Sequence, residues 1–338
     1  MKVIGYKIAK SLNRPRALSA YELPLPTLKA HDLLVKINAV SVNPVDVWTY
    51  QSQKEVLPKP RVLGFDAVGT VERIGSQVTQ FHEGDRVFYA GSFLRNGSYA
   101  EYQAVDERIA ARAPQNLSDA QAASVPLTAL TAWESLFEKM NLPEKAKEGQ
   151  KQKTVLIING AGGVGSMAIQ LAKWAGARVI ATASRKESID WCRKLGADEV
   201  ITPHQALLPQ IKALGDSGVD GVLELHGLAD HWNEFASLVH PLGHIVSVTS
   251  SPEKLNLMPL KRKAISFSWE WMFAKSFYGV DLLSQHQILT QVCRLLESGQ
   301  LKETQTQVLH GLTAETIQKA FNQAASGRLI GKLTIDFD

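Results

Sequence analysis

Short stretches of alternating apolar and polar residues run through the first 125 positions of the chain. The alternation is clearest over 33–42, and it returns over 69–75, 84–91 and 98–106, where Gly and Asp bound most of the stretches. Since successive side chains of a strand point to opposite faces, such alternation is typical of strands with one buried face. Short strands separated by turn residues predict a small barrel or sandwich here.

From residue 154 the pattern changes to apolar strands and amphipathic helices in turn. The continuous apolar run 154–159 is typical of a strand that is buried on both faces. Helices are predicted over 166–176 and 187–196, each ending at a glycine, with further strands over 177–183 and 219–225. This alternation predicts parallel βαβ units, and therefore a doubly wound parallel sheet of the Rossmann type.

Two neighbouring stretches separate these regions. Residues 124–140 have the pattern of an amphipathic helix, and the charged stretch 142–153 is typical of a solvated loop or helix end. Beyond residue 300 the chain returns to strand, helix and strand. We therefore expect an α/β fold with a Rossmann domain over 126–300 and a barrel-type domain formed by 1–125 and 301–338.

Composition argues against several classes of protein. The 338 residues include 37 Lys and Arg against 33 Asp and Glu, and no basic run stands out, so charge does not indicate nucleic-acid binding. The two cysteines, Cys192 and Cys293, are too few for a four-cysteine zinc site and are expected to be buried, unreactive thiols. Neither a signal-peptide pattern nor a run of 18 apolar residues is present, so we expect a cytoplasmic protein without a membrane span.

A glycine-rich loop follows the apolar strand at 154–159. Gly160, Gly162 and Gly165 have the G-x-G-x-x-G spacing, with Gly163 and Val164 between the last two, and a predicted helix follows. In this context the first glycine permits a tight turn, the second lets the backbone approach a pyrophosphate, and the third lets helix and strand pack closely. Helix N–H groups then face the phosphates, so the loop predicts a dinucleotide site.

The end of the second Rossmann strand indicates which dinucleotide is bound. A site for NAD usually has Asp or Glu there, to bind the ribose 2′-hydroxyl. This chain has Ser184, Arg185 and Lys186 instead. A hydroxyl and a guanidinium suit a 2′-phosphate, so the sequence favours NADPH. The alternative is that these basic residues are only the solvated start of a helix.

A series of motifs resembles the medium-chain dehydrogenase/reductase superfamily over essentially the whole chain. Besides the glycine loop they are Ser-Val-Asn-Pro-Val-Asp at 41–46, Gly-Phe-Asp-Ala-Val-Gly at 64–69, Gly-Asp-Arg-Val at 84–87, Ser-Tyr-Ala-Glu-Tyr at 98–102, Pro-Leu-Thr-Ala-Leu-Thr-Ala-Trp at 126–133 and Gly-Lys at 331–332. Within the superfamily the chain is similar to the quinone oxidoreductase branch and to a bacterial group labelled zinc-type alcohol dehydrogenase-like. The resemblance implies a GroES-like catalytic domain, an active site in the cleft between the domains, and a homo-oligomer, which we expect to be a dimer.

The positions that hold catalytic zinc in the superfamily's alcohol dehydrogenases carry other residues here. The resemblance matches these positions to Asn43, Phe65 and Leu127. Phe and Leu have no ligating atom, so we expect no metal. Without zinc to polarise an alcohol, the resemblance favours hydride transfer from NADPH to quinones or α,β-unsaturated carbonyls, which accept a hydride at carbon.

Several candidate catalytic residues come from the first domain by resemblance. Asn43 and Asp46 match residues beside the nicotinamide, although a helix-capping role for Asp46 is equally compatible with the pattern. Relatives without zinc often carry a tyrosine two residues after the aspartate, where this chain has Trp48. Tyr50 is the candidate to replace it as proton donor, with Trp48 shaping an aromatic pocket. Core packing is the alternative for both.

Other residues are expected around the cofactor and the substrate. The resemblance places Thr131, Val248 and Thr249 near the nicotinamide and lets Lys332 reach the cofactor, although an ordinary helix residue and a surface lysine are the alternatives for Thr131 and Lys332. Phe65, Trp271 and Phe273 are candidates for the substrate pocket. Packing at a subunit interface is the alternative for Trp269, Trp271 and Phe273.

Two other functions stay open on the sequence. A zinc-free alcohol or aldehyde reductase with a polar substrate would use the same cofactor site. The other is a non-catalytic protein that binds NADPH or nucleic acid. Nucleic-acid binding would predict an extended basic face, whereas the Lys and Arg residues are dispersed.

Overall fold

The computed structural model describes residues 1–14, 17–144 and 152–338. The strands are β1 Lys2–Tyr6, β2 Ser19–Glu22, β3 Asp32–Ser41, β4 Arg61–Val62, β5 Asp66–Ile74, β6 Arg86–Tyr89, β7 Tyr102–Asp106, β8 Ala110–Arg112, β9 Thr154–Ile157, β10 Arg178–Thr182, β11 Glu199–Ile201, β12 Val219–Glu224, β13 Val239–Ser247, β14 Ser266–Trp269, β15 Gln305–His310 and β16 Lys332–Asp336. The α-helices are α1 Pro44–Ser52, α2 Asp119–Ala123, α3 Pro126–Trp133, α4 Gly163–Trp174, α5 Lys186–Lys194, α6 Leu207–Ala213, α7 Leu228–Leu238, α8 Met258–Lys261, α9 Phe273–Tyr278, α10 Leu282–Glu297 and α11 Ala314–Ala325. A 3₁₀ turn covers Glu107–Ile109 and a π-helix covers Glu134–Lys139.

The chain divides into two compact units. The first unit comprises Met1–Leu127 and Phe273–Asp338, and the second unit comprises Thr128–Met272. The return to the first unit therefore starts at Phe273 and not at residue 301. The reason is α10, which packs on β8, where His286 Nδ1 lies 2.7 Å from the carbonyl oxygen of Ala110.

The second unit is built on a six-stranded sheet in which every pairing is parallel. The strand order is β11-β10-β9-β12-β13-β14. Strands β9 and β12 lie side by side at the centre, and the order reverses direction between them, which is the switch point where doubly wound sheets bind ligands. The apolar run of β9 is buried throughout, as a strand covered on both faces requires. The doubly wound fold predicted from the sequence is confirmed.

The first unit is formed by two mainly antiparallel sheets. The larger has the order β15-β16-β3-β5-β6-β8, with β7 paired to β3, and the smaller has the order β2-β1-β4. Strand β3 is paired on both sides and almost wholly buried, so its apolar residues contribute to the core of this unit. These two sheets agree with the expected barrel-type domain.

The pattern over 124–140 does not form one regular helix. The helix predicted over 124–140 is α3 followed by a π-helix, in which the Met140 amide donates to the Ser135 carbonyl five residues earlier. Of the charged stretch 142–153, residues 145–151 lie outside the described residues. Within the described part of the chain, no helix is long and apolar enough to cross a membrane.

Both cysteines are buried and neither forms a disulfide, as expected. Burial raises the pKa of Cys192 to about 12 and that of Cys293 to about 11. Each thiol therefore stays protonated near neutral pH and is a poor nucleophile.

Candidate functional site

The glycine loop of the second unit joins β9 to α4, and its glycines are required by close backbone contacts. A Cβ on Gly160 would lie 2.7 Å from the Ala181 Cβ, and one on Gly165 would lie 2.4 Å from the Asn159 carbonyl oxygen. Asn159 itself turns the chain with a φ of 62°. Because a side chain has no room at either glycine, the loop stays thin enough for a ligand to approach its backbone.

The start of α4 presents helix amides beside this loop. The first helical hydrogen bond runs from the Ser166 amide to the Gly162 carbonyl, at 2.8 Å. The amides of Gly163, Val164 and Gly165 precede that bond, so they are the groups with which a helix N-terminus binds phosphate. The loop and these amides fit the pyrophosphate of a dinucleotide.

The three polar residues after β10 differ in how they are held. Ser184, Arg185 and Lys186 all have exposed side chains. The Arg185 backbone is fixed by Ser188, whose Oγ accepts from the Arg185 amide at 3.1 Å. The Lys186 ammonium lies 2.7 Å from the Asp190 carboxylate, which raises the pKa of Lys186. Lys186 is thus held in an ion pair with Asp190, one turn along α5. The residues that directly follow β10 include no carboxylate.

Glu224, at the end of β12, is a site residue that the sequence reasoning missed. It is fully buried, and its Oε2 accepts hydrogen bonds from Ser247 Oγ and Thr249 Oγ1, both at 2.6 Å. Its Oε1 accepts from the His226 amide at 2.5 Å. Val248 and Thr249, predicted near the nicotinamide, are half-buried next to it at the same edge of the sheet. The available signal was an acidic residue ending an otherwise apolar strand.

In the first unit, Asn43 and Lys332 meet in a buried polar network around Asp66. Asp66 Oδ2 accepts from Ser41 Oγ at 2.6 Å, from Asn43 Nδ2 at 2.8 Å and from Lys332 Nζ at 3.2 Å. Its Oδ1 accepts from the Leu127 amide at 2.7 Å. The network brings together β3, β5 and β16. From the sequence, Asp66 was recognisable only as part of the Gly-Phe-Asp-Ala-Val-Gly motif. Its position at the centre of the network depends on contacts between segments that are distant in the chain.

Lys332 is not a surface lysine. Its ammonium also donates to the Val42 carbonyl at 3.1 Å and to Asn43 Oδ1 at 2.5 Å, so it has three acceptors for its three N–H bonds. Burial lowers the pKa of Lys332, and the Asp66 carboxylate opposes that shift. These three acceptors all belong to the first unit. The structure therefore does not support the expected contact between Lys332 and the cofactor.

Asp46 is placed as a capping residue at the start of α1. Its Oδ2 accepts from the Asn43 amide at 2.9 Å, and its Oδ1 accepts from the Gly64 amide at 3.0 Å. The side chain is completely buried, and this burial raises the pKa of Asp46 to about 7. The carboxyl therefore ties the helix start to the loop before β5, in agreement with the capping alternative.

Tyr50 and Trp48 lie on opposite sides of α1. The Tyr50 ring is fully buried, and its hydroxyl has two possible acceptors for its one proton, the backbone carbonyls of Lys10 at 2.9 Å and Ala17 at 3.1 Å. The hydroxyl oxygen accepts from the Lys10 amide at 2.8 Å. The role of proton donor expected of Tyr50 is therefore wrong, because backbone groups occupy its hydroxyl inside the core. Trp48 is 64% exposed and does not pack in the core.

The expected pocket aromatics are divided between packing and exposure. Phe65 and Phe273 are buried with ring centroids 4.5 Å apart, and Phe93 lies 4.7 Å from the first and 4.6 Å from the second. Trp271 belongs to the second unit and is 42% exposed. Phe65, Phe93 and Phe273 therefore pack together as an aromatic cluster.

Thr131 is buried in α3, one turn before the π-helix. The π-helix begins with Glu134, which is also buried and hydrogen-bonds the side chain of Glu270.

Within the described ranges, no cluster of three or more His, Cys, Asp or Glu side chains has the arrangement of a metal site.

Comparison with known proteins agrees with this architecture. The family model of the alcohol dehydrogenase GroES-like domain matches residues 29–115, and that of zinc-binding dehydrogenase matches residues 163–296. A zinc-type alcohol dehydrogenase-like protein of Staphylococcus aureus strain MSSA476 is 44% identical over 337 residues, which cover 99% of this chain and 100% of that protein. The chain belongs to the medium-chain dehydrogenase/reductase superfamily.

Further relatives specify the branch of this superfamily. A chloroplastic quinone-oxidoreductase homolog from Spinacia oleracea is 30% identical, over 95% of this chain and 94% of its own. Among solved structures, a putative zinc-dependent alcohol dehydrogenase from Rhizobium etli is 39% identical with a TM-score of 0.93, over 99% of this chain and 98% of its own. This member of the medium-chain superfamily therefore falls in its quinone oxidoreductase-like branch, which is a branch of oxidoreductases.

Proposed function

We propose that this chain is a zinc-independent, NADPH-dependent oxidoreductase that transfers hydride to quinones or α,β-unsaturated carbonyls. The observation that carries the proposal is the second unit's cofactor site. Its glycine loop fits a pyrophosphate, and its β10 strand ends in an exposed hydroxyl and guanidinium instead of a carboxylate.

Each part of the second unit has a defined task in this proposal. The amides of Gly163, Val164 and Gly165 bind the pyrophosphate. Ser184 and Arg185 bind the 2′-phosphate, which an acidic residue at that position would repel. NADPH supplies the hydride when it is bound, and the protein contributes binding and orientation.

The choice of acceptor follows from the side chains at the superfamily's zinc positions. Phe65 and Leu127 are apolar and buried, and Asn43 is held by Asp66 and Lys332. An acceptor must then be electrophilic without a Lewis acid, as quinones and conjugated carbonyls are. The negative charge that develops on its oxygen needs hydrogen-bond donors, and the indole N–H of Trp48, a residue that is largely exposed, is one candidate.

The proposal is tested by following NADPH oxidation at the nicotinamide absorbance band. 1,4-Benzoquinone, a 2-alkenal and a simple ketone are compared as acceptors, with NADH and a zinc chelator as controls. Turnover of the quinone or alkenal that prefers NADPH and resists the chelator is expected. Chelator-sensitive alcohol or ketone chemistry would overturn the proposal, and preference for NADH would overturn its cofactor.

We also propose that two copies of the chain associate through β14. This strand is at the edge of the six-stranded sheet, and Trp269 at its end is 53% exposed. An edge strand offers backbone groups on its open side to a second chain. Light scattering should give the mass of a dimer, and Trp269→Glu should shift the mass toward that of the monomer. A monomeric wild-type chain contradicts this assignment.

A further inference from the structure

We propose that Glu224 is a positioning residue that shapes the nicotinamide end of the cofactor site. The inference rests on the function proposed above. Glu224 is the last residue of β12, and β12 pairs with β9, the strand that leads into the glycine loop. It therefore lies at the carboxyl edge of the parallel sheet, where sheets of this topology bind their cofactors.

One carboxylate joins two separate turns at this edge. Through Oε1 it holds the His226 amide, in the turn after β12, at 2.5 Å. Through Oε2 it holds Ser247 Oγ and Thr249 Oγ1, in the turn after β13, at 2.6 Å each. Hydrogen bonds to an ionised acceptor are short and strong, so these contacts fix both turns against each other.

The local energetics favour a role beyond stability. Glu224 is 0% exposed, and no ion pair among the described residues involves it. A buried carboxylate without a cation has a large desolvation cost that its hydrogen bonds only offset. An apolar side chain of similar size would avoid that cost but would leave the His226 amide and the two hydroxyls without this acceptor. The carboxylate is therefore better explained by the geometry that it imposes on its three donors.

That geometry determines what Thr249 offers to a ligand. A threonine hydroxyl has one proton, and here it is donated to Glu224, which leaves only oxygen lone pairs. The Thr249 amide is held by Ser247 Oγ at 3.2 Å, and the Val248 amide donates to the Glu224 carbonyl at 3.2 Å, so the backbone of this turn is also fixed. A hydroxyl restricted to accepting hydrogen bonds suits the amide N–H groups of a nicotinamide carboxamide.

The test compares two ligands on the wild-type chain and on Glu224→Gln. NADPH spans the whole site, whereas adenosine 2′,5′-bisphosphate reaches only the adenosine end. A glutamine keeps the shape but presents an NH₂ group either to the His226 amide or to the two hydroxyls. We expect the Kd of NADPH to rise about 10-fold, equal to ~1.4 kcal/mol, with the Kd of adenosine 2′,5′-bisphosphate unchanged. Both constants are measured by calorimetric titration.

Asp220→Asn is the matched control, because Asp220 is a carboxylate at the amino end of the same strand. It accepts from the Thr154 amide at 2.9 Å and from Lys153 Nζ at 3.1 Å. Its replacement should leave both dissociation constants as they are. If Glu224→Gln weakens both ligands equally, or neither, the positioning role is overturned.

Thr249→Val provides a second variant in case Glu224→Gln does not fold. It retains the carboxylate and removes only the hydroxyl, so NADPH binding alone should again weaken. Combining it with Glu224→Gln should add little, since both changes act through the same hydroxyl; full additivity would contradict the inference. A wild-type chain that binds neither ligand refutes the proposed function and the inference together. Binding of NADPH without a selective effect refutes the inference alone.

Discussion

Glu134 and Glu270 are two buried carboxyl groups joined by a hydrogen bond inside the second unit. Two carboxylates cannot share such a bond without a proton between them. Burial and the neighbouring Glu134 raise the pKa of Glu270 to about 9, with Glu138 adding to the shift and Lys139 opposing it. The pair is therefore singly protonated near neutral pH.

This pair makes the stability of the protein depend on pH. Since the folded-state pKa lies above the unfolded value of 4.5, the folded chain retains a proton that the unfolded chain releases. The free energy of unfolding should therefore fall as pH rises from about 5 to about 9, by up to about 1.4 kcal/mol per pH unit from this pair. Glu270→Gln should remove that part of the slope in urea unfolding. Glu138→Gln, an exposed change on the same π-helix, removes only a minor contribution to the raised pKa of Glu270 and should keep most of that slope. An unchanged slope in Glu270→Gln would contradict the prediction.

Removing the hydroxyl of Tyr50 should affect stability and spare turnover. Tyr50→Phe removes the acceptor of the Lys10 amide at a partly buried hydrogen bond, and we expect a loss of about 0.5–1.5 kcal/mol in the free energy of unfolding. Tyr89→Phe is the matched control, because the Tyr89 hydroxyl is buried without a hydrogen-bond partner among the described residues, so its loss should be close to neutral. A large fall in kcat with Tyr50→Phe would restore the tyrosine as a proton donor.

Arg185 should determine the preference for NADPH over NADH. Hydrogen bonds between charged groups contribute about 1.5–3 kcal/mol, so Arg185→Ala should lower kcat/KM for NADPH by roughly 10- to 100-fold and leave NADH unaffected. Lys186→Ala should have a smaller effect, because Asp190 already engages that ammonium. Equal losses with both cofactors would mean that Arg185 supports the fold of the loop instead.

Lys332 should be essential to the first unit because it neutralises a buried carboxylate. Lys332→Met leaves Asp66 charged and without its cation, which should cost about 3–5 kcal/mol of unfolding free energy. In the double variant with Asp66→Asn, the uncompensated charge is absent, so its loss should be smaller than the sum of the two single losses. Thermal unfolding monitored by circular dichroism gives the comparison, and simple additivity would argue against the coupling.

The cofactor site was largely predictable because its signals are local. The loop glycines, the apolar strand before them and the helix after them are adjacent in the chain, and each residue type has a steric reason at its position. The end of the next strand, with Ser184 and Arg185, follows from the same βαβ rhythm. No long-range contact is needed to place any of these groups.

The buried polar groups could not be placed in this way. Lys332 and Asn43 meet across 289 residues of sequence, and Asp66 joins them only because β3 pairs with both β5 and β16. A sequence pattern indicates that a side chain faces inward but not which partner it meets there. For the same reason Tyr50 had the appearance of an available donor, although the backbone of a distant loop occupies its hydroxyl.

Strand β16 completes the larger sheet of the first unit by pairing with β3 on one side and β15 on the other. On the ribosome, β3 emerges nearly 300 residues before this neighbour, whereas all six strands of the second unit come from one continuous stretch. The nascent chain therefore has the elements to fold its central unit first. Until residues 332–336 leave the exit tunnel, the edge of β3 that pairs with β16 stays open, and Asp66 lacks its contact with Lys332. A chaperone that covers this open edge would have its largest effect in that interval.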